Sequence, residues 1–208
     1  VYFFYNKGIF KYHLKGFYTM SNESTDILSL KASIIEQVLA KLPQKTPHLA
    51  SFTKIYLNSI SPRALKRHSV DTIAQFVLKR FDFFSTHIQS PGKLQFLDTH
   101  RDPHHLVSHR RLELIFPDAP HLLITIEAVF RSFGIRILRL YHPIMQVSFK
   151  NNGDIKSLSP PQSSENLYSL GYIEFEDISD QSIIAELQQR LHYHMTAIQA
   201  ASQHTDDI

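Results

Sequence analysis

The spacing of apolar residues changes period along the chain. From Ile27 to Leu42 they recur three and four apart (Ile27, Leu30, Ile34, Val38 and Leu42, with Leu28, Ile35 and Leu39 beside them), the stripe of an amphipathic helix. Pro43 ends it. Pro47 to Leu57 carries a second such stripe, with Leu49, Phe52, Ile55 and Tyr56 facing inward. Ser61-Pro62 reads as an N-cap and a first helical residue. Ser69 opens a longer helix with Ile73, Phe76, Val77, Phe81, Phe84 and Ile88 on one side, and Ser90-Pro91-Gly92 stops it. Beyond Gly92 the period falls to two. Leu94 to Thr99 fits an extra strand, and His100 to His109 reads as a loop.

The most informative stretch runs from Arg110 to Gly153. Leu112, Leu114 and Phe116 alternate with Arg111, Glu113 and Ile115, which predicts a strand buried mainly on one face. Pro117-Asp118-Ala119-Pro120 breaks it. Pro120 suits a first helical turn, because its missing N–H would have no partner there. Asp118 or Ala119 then stands at the cap, and Asp118 suits the positive end of the helix dipole. Leu122, Leu123, Ile126, Val129, Phe130 and Phe133 follow at helical spacing, and Gly134 closes the helix. Ile135 to Phe149 returns to strand-type residues, and Asn152-Gly153 signals a hairpin turn. Ser157 to Asn166 reads as a flexible connection. Leu167 to Phe175 alternates again, and Ser179 or Asp180 caps a last helix carrying Ile183, Ile184, Leu187, Leu191 and Ile198.

The expected fold class is therefore α+β. Residues 1–26 read as a disordered leader and linker, 27–92 as a helical segment, and 93–208 as an α+β domain with a polar tail. From Arg110 the order is strand, helix, strand, strand, helix, five-sixths of a ferredoxin-like βαββαβ unit. The sixth strand either lies beyond Ile208 or is replaced at a sheet edge by the 94–99 strand.

Composition narrows the function classes. Apolar residues make up 43% and charged residues 20%, with fifteen Phe and nine Tyr, an ordinary globular balance with ample aromatic area for a core. A formal charge of +3 is too mild to argue for nucleic acid. The chain has no Cys, which excludes disulfides, thiolate metal sites and a catalytic thiol, and fits a reducing, cytoplasmic setting. Lys7, Lys11 and Lys15 interrupt the aromatic first nineteen residues, so neither a membrane span nor a signal peptide is expected there. A basic membrane-surface helix is one reading of them; a disordered leader before a start at Met20 is the favoured one.

Asp118-Ala119-Pro120-His121-Leu122-Leu123 resembles the Asp-x-Pro-Gly-Leu-Leu signature of ACT regulatory domains. A wider set, Asp118 to Thr125, Phe133-Gly134, His142-Pro143 and Gly153, is similar to the N-terminal part of the large bacterial NAD-specific glutamate dehydrogenases, from about Ser61 to about Ala200. The departures are Pro117, Ala119, His121 and Ile124 at family positions of other types, with Lys150 and Asn151 near the family's Arg-Asp. The resemblance implies a non-catalytic regulatory or oligomerisation segment, partnered by the remaining domains of its own chain and by further copies. It implies NAD as the cofactor of the whole enzyme and none in this segment. A stand-alone ACT-like module that senses an amino acid or dimerises is the alternative.

Candidate chemistry is sparse. Glycines stand at 8, 16, 92, 134, 153 and 171, never clustered as a dinucleotide turn requires. There is no G-x-S-x-G elbow, and no catalytic residue is assigned. His100, His104, His105 and His109 have helical ligand spacing, but Pro103 interrupts them and a solvated loop is favoured over a metal site. His192 and His194, two apart, cannot share a helical face. If a ligand binds, the candidates are Asp118, His121, Leu122 and Leu123, at the start of the central helix. There the family's Gly would leave amides open to a carboxylate. His121 either contacts an anion or fills the pocket, and filling is favoured. His142 reads as a strand residue satisfied by backbone.

Overall fold

The computed structural model describes residues 22–90, 92–100 and 109–203. The leader up to residue 21, the His104 and His105 loop and the last five residues lie outside them. Four helices come first: α1 (Asn22–Lys41), α2 (Leu49–Asn58), α3 (Pro62–Leu65) and α4 (Val70–His87). Asn22 to Asp26, expected as linker, already belongs to α1. Ser61 and Ser69 cap α3 and α4 as their sequence implied, accepting from the Ala64 and Thr72 amides.

The rest is a sheet with two further helices: β1 (Lys93–His100), β2 (His109–Pro117), α5 (Leu122–Ser132), β3 (Ile137–Tyr141), β4 (Ile144–Phe149), β5 (Ile155–Ser159), β6 (Leu167–Glu176) and α6 (Gln181–Gln203). The strand order is β1-β2-β6-β4-β5, with β3 also on β6, and every pairing is antiparallel. β3 and β4 lie end to end along one side of β6. The break between them is His142-Pro143, where Pro has no N–H for the ladder and its carbonyl accepts the Leu170 amide at 3.0 Å.

The missing sixth strand is thus supplied from upstream. β1 sits beside β2, where a strand following α6 would sit in the βαββαβ order. One expectation fails here: Ile155–Ser159, part of which read as flexible connection, is a fifth strand. It forms a hairpin with β4 through Asn152-Gly153, with Gly153 at φ 87°. Gly134 closes α5 as expected, at φ 67°, with the Ile135 amide bonding back to the Phe130 carbonyl. This is a Schellman ending that a residue with a Cβ would strain.

Two apolar cores flank the sheet. On one face α5 and α6 bury Ile126, Phe130, Leu187 and Leu191 against Leu112, Leu114, Phe116, Ile173 and Phe175. On the other, α1, α2 and α4 bury Val38, Phe52, Tyr56, Val77 and Phe84 against Ile115, Met145, Val147 and Leu170. The helical segment therefore shares its core with the sheet. β2, expected to be buried mainly on one face, is covered on both; even Glu113 is 3% exposed. Gly171 is required by close approach: a Cβ there would come within 2.6 Å of Leu114 Cγ.

Candidate functional site

The connection from β2 to α5 holds the predicted site residues. Asp118 is tied to β6 twice. Its amide donates to the Leu167 carbonyl at 2.7 Å, and its carboxylate accepts the Ser169 hydroxyl at 2.6 Å. The helix starts later than expected, at Leu122, so neither Asp118 nor Ala119 is its cap and Pro120 precedes its first turn. His121 occupies the cap position at φ 66°, ψ 1°, with no side-chain capping bond. Its ring is exposed, so it does not fill a pocket. The left-handed φ gives a second reason for Gly at this place in the ACT signature, beyond room for a ligand: an L side chain is strained there. Leu122 is core, with its amide on the Ala119 carbonyl at 3.4 Å, and Leu123 is half-buried.

His142 lies in the β3–β4 break, across from Gly171 in the register that runs from Tyr141–Tyr172 to Ile144–Ser169. The residue is half-buried, but its Nε2 is sealed from solvent and meets no hydrogen-bond partner. The expectation that backbone satisfies it fails for that nitrogen. Burial holds its pKa below the usual imidazole value, and the Asp118 carboxylate pulls the other way.

The second group of polar side chains lies between α4 and the sheet, and the sequence offered no sign of it. Arg80 of α4, 5% exposed, pairs with Glu113 of β2. Its guanidinium carbon stands 4.7 Å from the Tyr172 ring centre and 5.3 Å from that of Phe76, a cation–π contact on two rings. Tyr172 donates to Glu174 at 3.0 Å, and Glu174 also accepts from Arg139 at 2.6 Å. The Tyr56 hydroxyl, Arg80 Nε and Nη1, and Arg111 Nε meet no partner among the described residues. Burial, with Arg111 near, lowers the Arg80 pKa; burial raises those of Tyr56 and Tyr172 far above the phenol range.

This arrangement fastens α4 to β2 and β3 to β6. The strand-to-helix connections, Asp118–His121 and Asp177–Asp180, contain no glycine for a phosphate turn. Two shallow clefts, of about 440 Å³ at the β4–β5 turn and about 480 Å³ along β1, include none of Asp118, His121 and His142. Among the described residues no three His, Asp or Glu side chains group as a metal site, and no helix is long and apolar enough to cross a membrane.

An antiparallel sheet in ferredoxin-like order, with two helices on one face and an Asp-x-Pro-x-Leu-Leu turn before the first, defines an ACT-like regulatory unit. The family model for the glutamate dehydrogenase ACT1 domain matches residues 52–191. The chain belongs to that family, and the match takes in most of α2, α3 and α4, part of the helical cap formed by α1 to α4, as well as the sheet. Neither a curated protein nor a solved structure matches the chain.

Proposed function

We propose that this chain is the non-catalytic N-terminal regulatory and oligomerisation segment of an NAD-specific glutamate dehydrogenase. The whole enzyme converts L-glutamate, water and NAD to 2-oxoglutarate, ammonium, NADH and a proton, with the hydride passing to NAD held in another domain. The ACT1 match over 52–191 carries this reading, and the glycine-free strand-to-helix connections agree with it. The partners are the remaining domains of the same chain and further copies of it, in the cytoplasm, where a chain without Cys loses nothing to reduction.

Calorimetry and light scattering test this. The isolated chain should bind no NAD and oxidise no glutamate. Saturable NAD binding at roughly micromolar concentration would overturn it. In the enzyme that carries this segment, removal of residues 22–203 should leave NAD binding intact and change the mass of the assembly. An unchanged mass and unchanged response to amino acids would refute the regulatory and oligomerisation role.

A further inference from the structure

The end of α6 and the start of β1 meet at Gly92. Gln199 of α6 holds its Oε1 3.9 Å from where a Cβ on Gly92 would stand. β1 has β2 on one side and, among the described residues, no strand on the other. A cleft of about 480 Å³ wraps this outer edge. Lys93 and Gln95 stand opposite Ile115 and Glu113, so they line it on the cap face, with His87 from the end of α4 beside them. Leu94 and Phe96 stand opposite Leu114 and Leu112 and line it on the other face, with Gln188 of α6. The lining is cationic, amide and apolar, and contains no acid. Lys93 is exposed and makes no ion pair among the described residues. The His87 ring is held edge-on by Phe83, 4.9 Å between centres.

The residues that follow α6 match this cleft in charge and in reach. The helix ends at Gln203, and His204-Thr205-Asp206-Asp207-Ile208 come next. Between Gln199 and Gln203 the helix rises about 6 Å beyond Gly92. Five extended residues span at most about 17 Å. A chain that turns back after Gln203 therefore covers that rise and still brings Asp206 and Asp207 level with Lys93. Carboxylates at this place accept charge-assisted hydrogen bonds from the Lys93 ammonium. The His87 ring has an N–H to donate in either protonation state.

We propose that residues 204–208 form a clip over the outer edge of β1, with Asp206 and Asp207 seated on Lys93 and His87. The clip ties the end of α6 to the start of β1, where a strand from upstream closes the βαββαβ order. It also covers a sheet edge whose backbone groups are otherwise a template for a further strand. The occupant of the cleft is thus the chain's own acidic segment, held by charge and by the short distance from the helix end.

Nuclear magnetic resonance on the full chain tests the clip. The amides of Thr205 to Ile208 should relax as ordered residues, and added salt should loosen them. Deleting residues 204–208 should shift the Lys93 and Gln95 amides and the His87 ring while leaving the amides of α5 in place. Lys93→Glu should give the tail the relaxation of a free chain end. Lys93 is exposed, so this variant should melt like the native chain, which separates loss of the clip from loss of the fold. Reversing the partners as well, Lys93→Glu with Asp206→Lys and Asp207→Lys, should restore most of the order. A tail that relaxes alike in the native chain and in Lys93→Glu would overturn the proposal, as would a reversed variant without rescue. Tail order that grows with protein concentration would also overturn it, by placing a second copy on the edge.

Discussion

The two faces of the sheet are built from the same strands by different means. Toward α5 and α6, β2 and β6 present Leu112, Leu114, Phe116, Ile173 and Phe175, and the contacts are apolar, as in the edge-on pair of Phe130 and Phe175 at 5.1 Å. Toward the helical cap the same strands present Arg111, Glu113, Tyr172 and Glu174 among aromatic rings. An apolar face is satisfied by any neighbour of the right volume. A buried ion pair is satisfied only when its partner stands at one register, because an unpaired charge there is costly. The α5/α6 face supplies burial, and the cap face adds to burial a fixed seat for α4 over β2.

The largest effects should separate these faces. Glu113→Ala should cost about 3–5 kcal/mol by leaving Arg80 buried and unpaired. Phe130→Ala should cost a similar amount, about 3–5 kcal/mol, by opening a cavity. Denaturant melts of rescue variants distinguish the causes. Arg80→Met with Glu113→Leu should return most of the loss, whereas on the apolar face only a residue of Phe-like volume at 130 should. If Glu113→Ala alone melts like the native chain, the ion pair does not seat the cap.

The faces should also differ in pH response. Tyr56 and Tyr172, on the cap side, have folded pKa values raised by burial above the ordinary 10.0. Above about pH 10 the unfolded chain loses those protons and the folded chain keeps them, so stability should fall as pH rises further. Tyr56→Phe should flatten that alkaline limb in a pH series of melts. His142, near the α5 side, has a folded pKa lowered below 6.5. Its contribution is full above that pH, and it is lost as pH falls from there toward the folded value; His142→Gln should flatten the acid limb.

The smallest effect concerns His121. At φ 66° its replacement by Gly should stabilise the chain by up to about 1 kcal/mol, reversing the usual cost of Gly near a helix. A lower melting temperature in His121→Gly would show that the exposed ring has a contact of its own.

Much of this architecture could be read from residue order, and the failures have physical causes. The serine caps, Gly134 and the Asn152-Gly153 turn rest on local rules that held, and the helix stripes held except at the start of α1, where Ile27, Leu28 and Leu30 are exposed. Alternation in Arg110–Phe116 sorted the two faces of β2 correctly. It failed on burial because Glu113 resembles a solvent-facing residue until Arg80, distant in sequence, is paired with it. β5 was missed because IKSLS is short and polar, as an outer strand half open to water allows. At the α5 start, Pro120 and Asp118 promised a helix boundary, but the left-handed turn at His121 moved it. A histidine at positive φ leaves no mark in a hydrophobic pattern.

The place of β1 bears on how the chain could be rearranged. The end of α6 returns to the beginning of β1: Gln199 Oε1 lies 3.9 Å from where a Cβ on Gly92 would stand. A gene in which the segment 92–100 followed α6 would specify the same neighbours in space while restoring the common βαββαβ order. The two arrangements are circular permutants of one ACT-like unit, interconvertible by moving a join across a short gap.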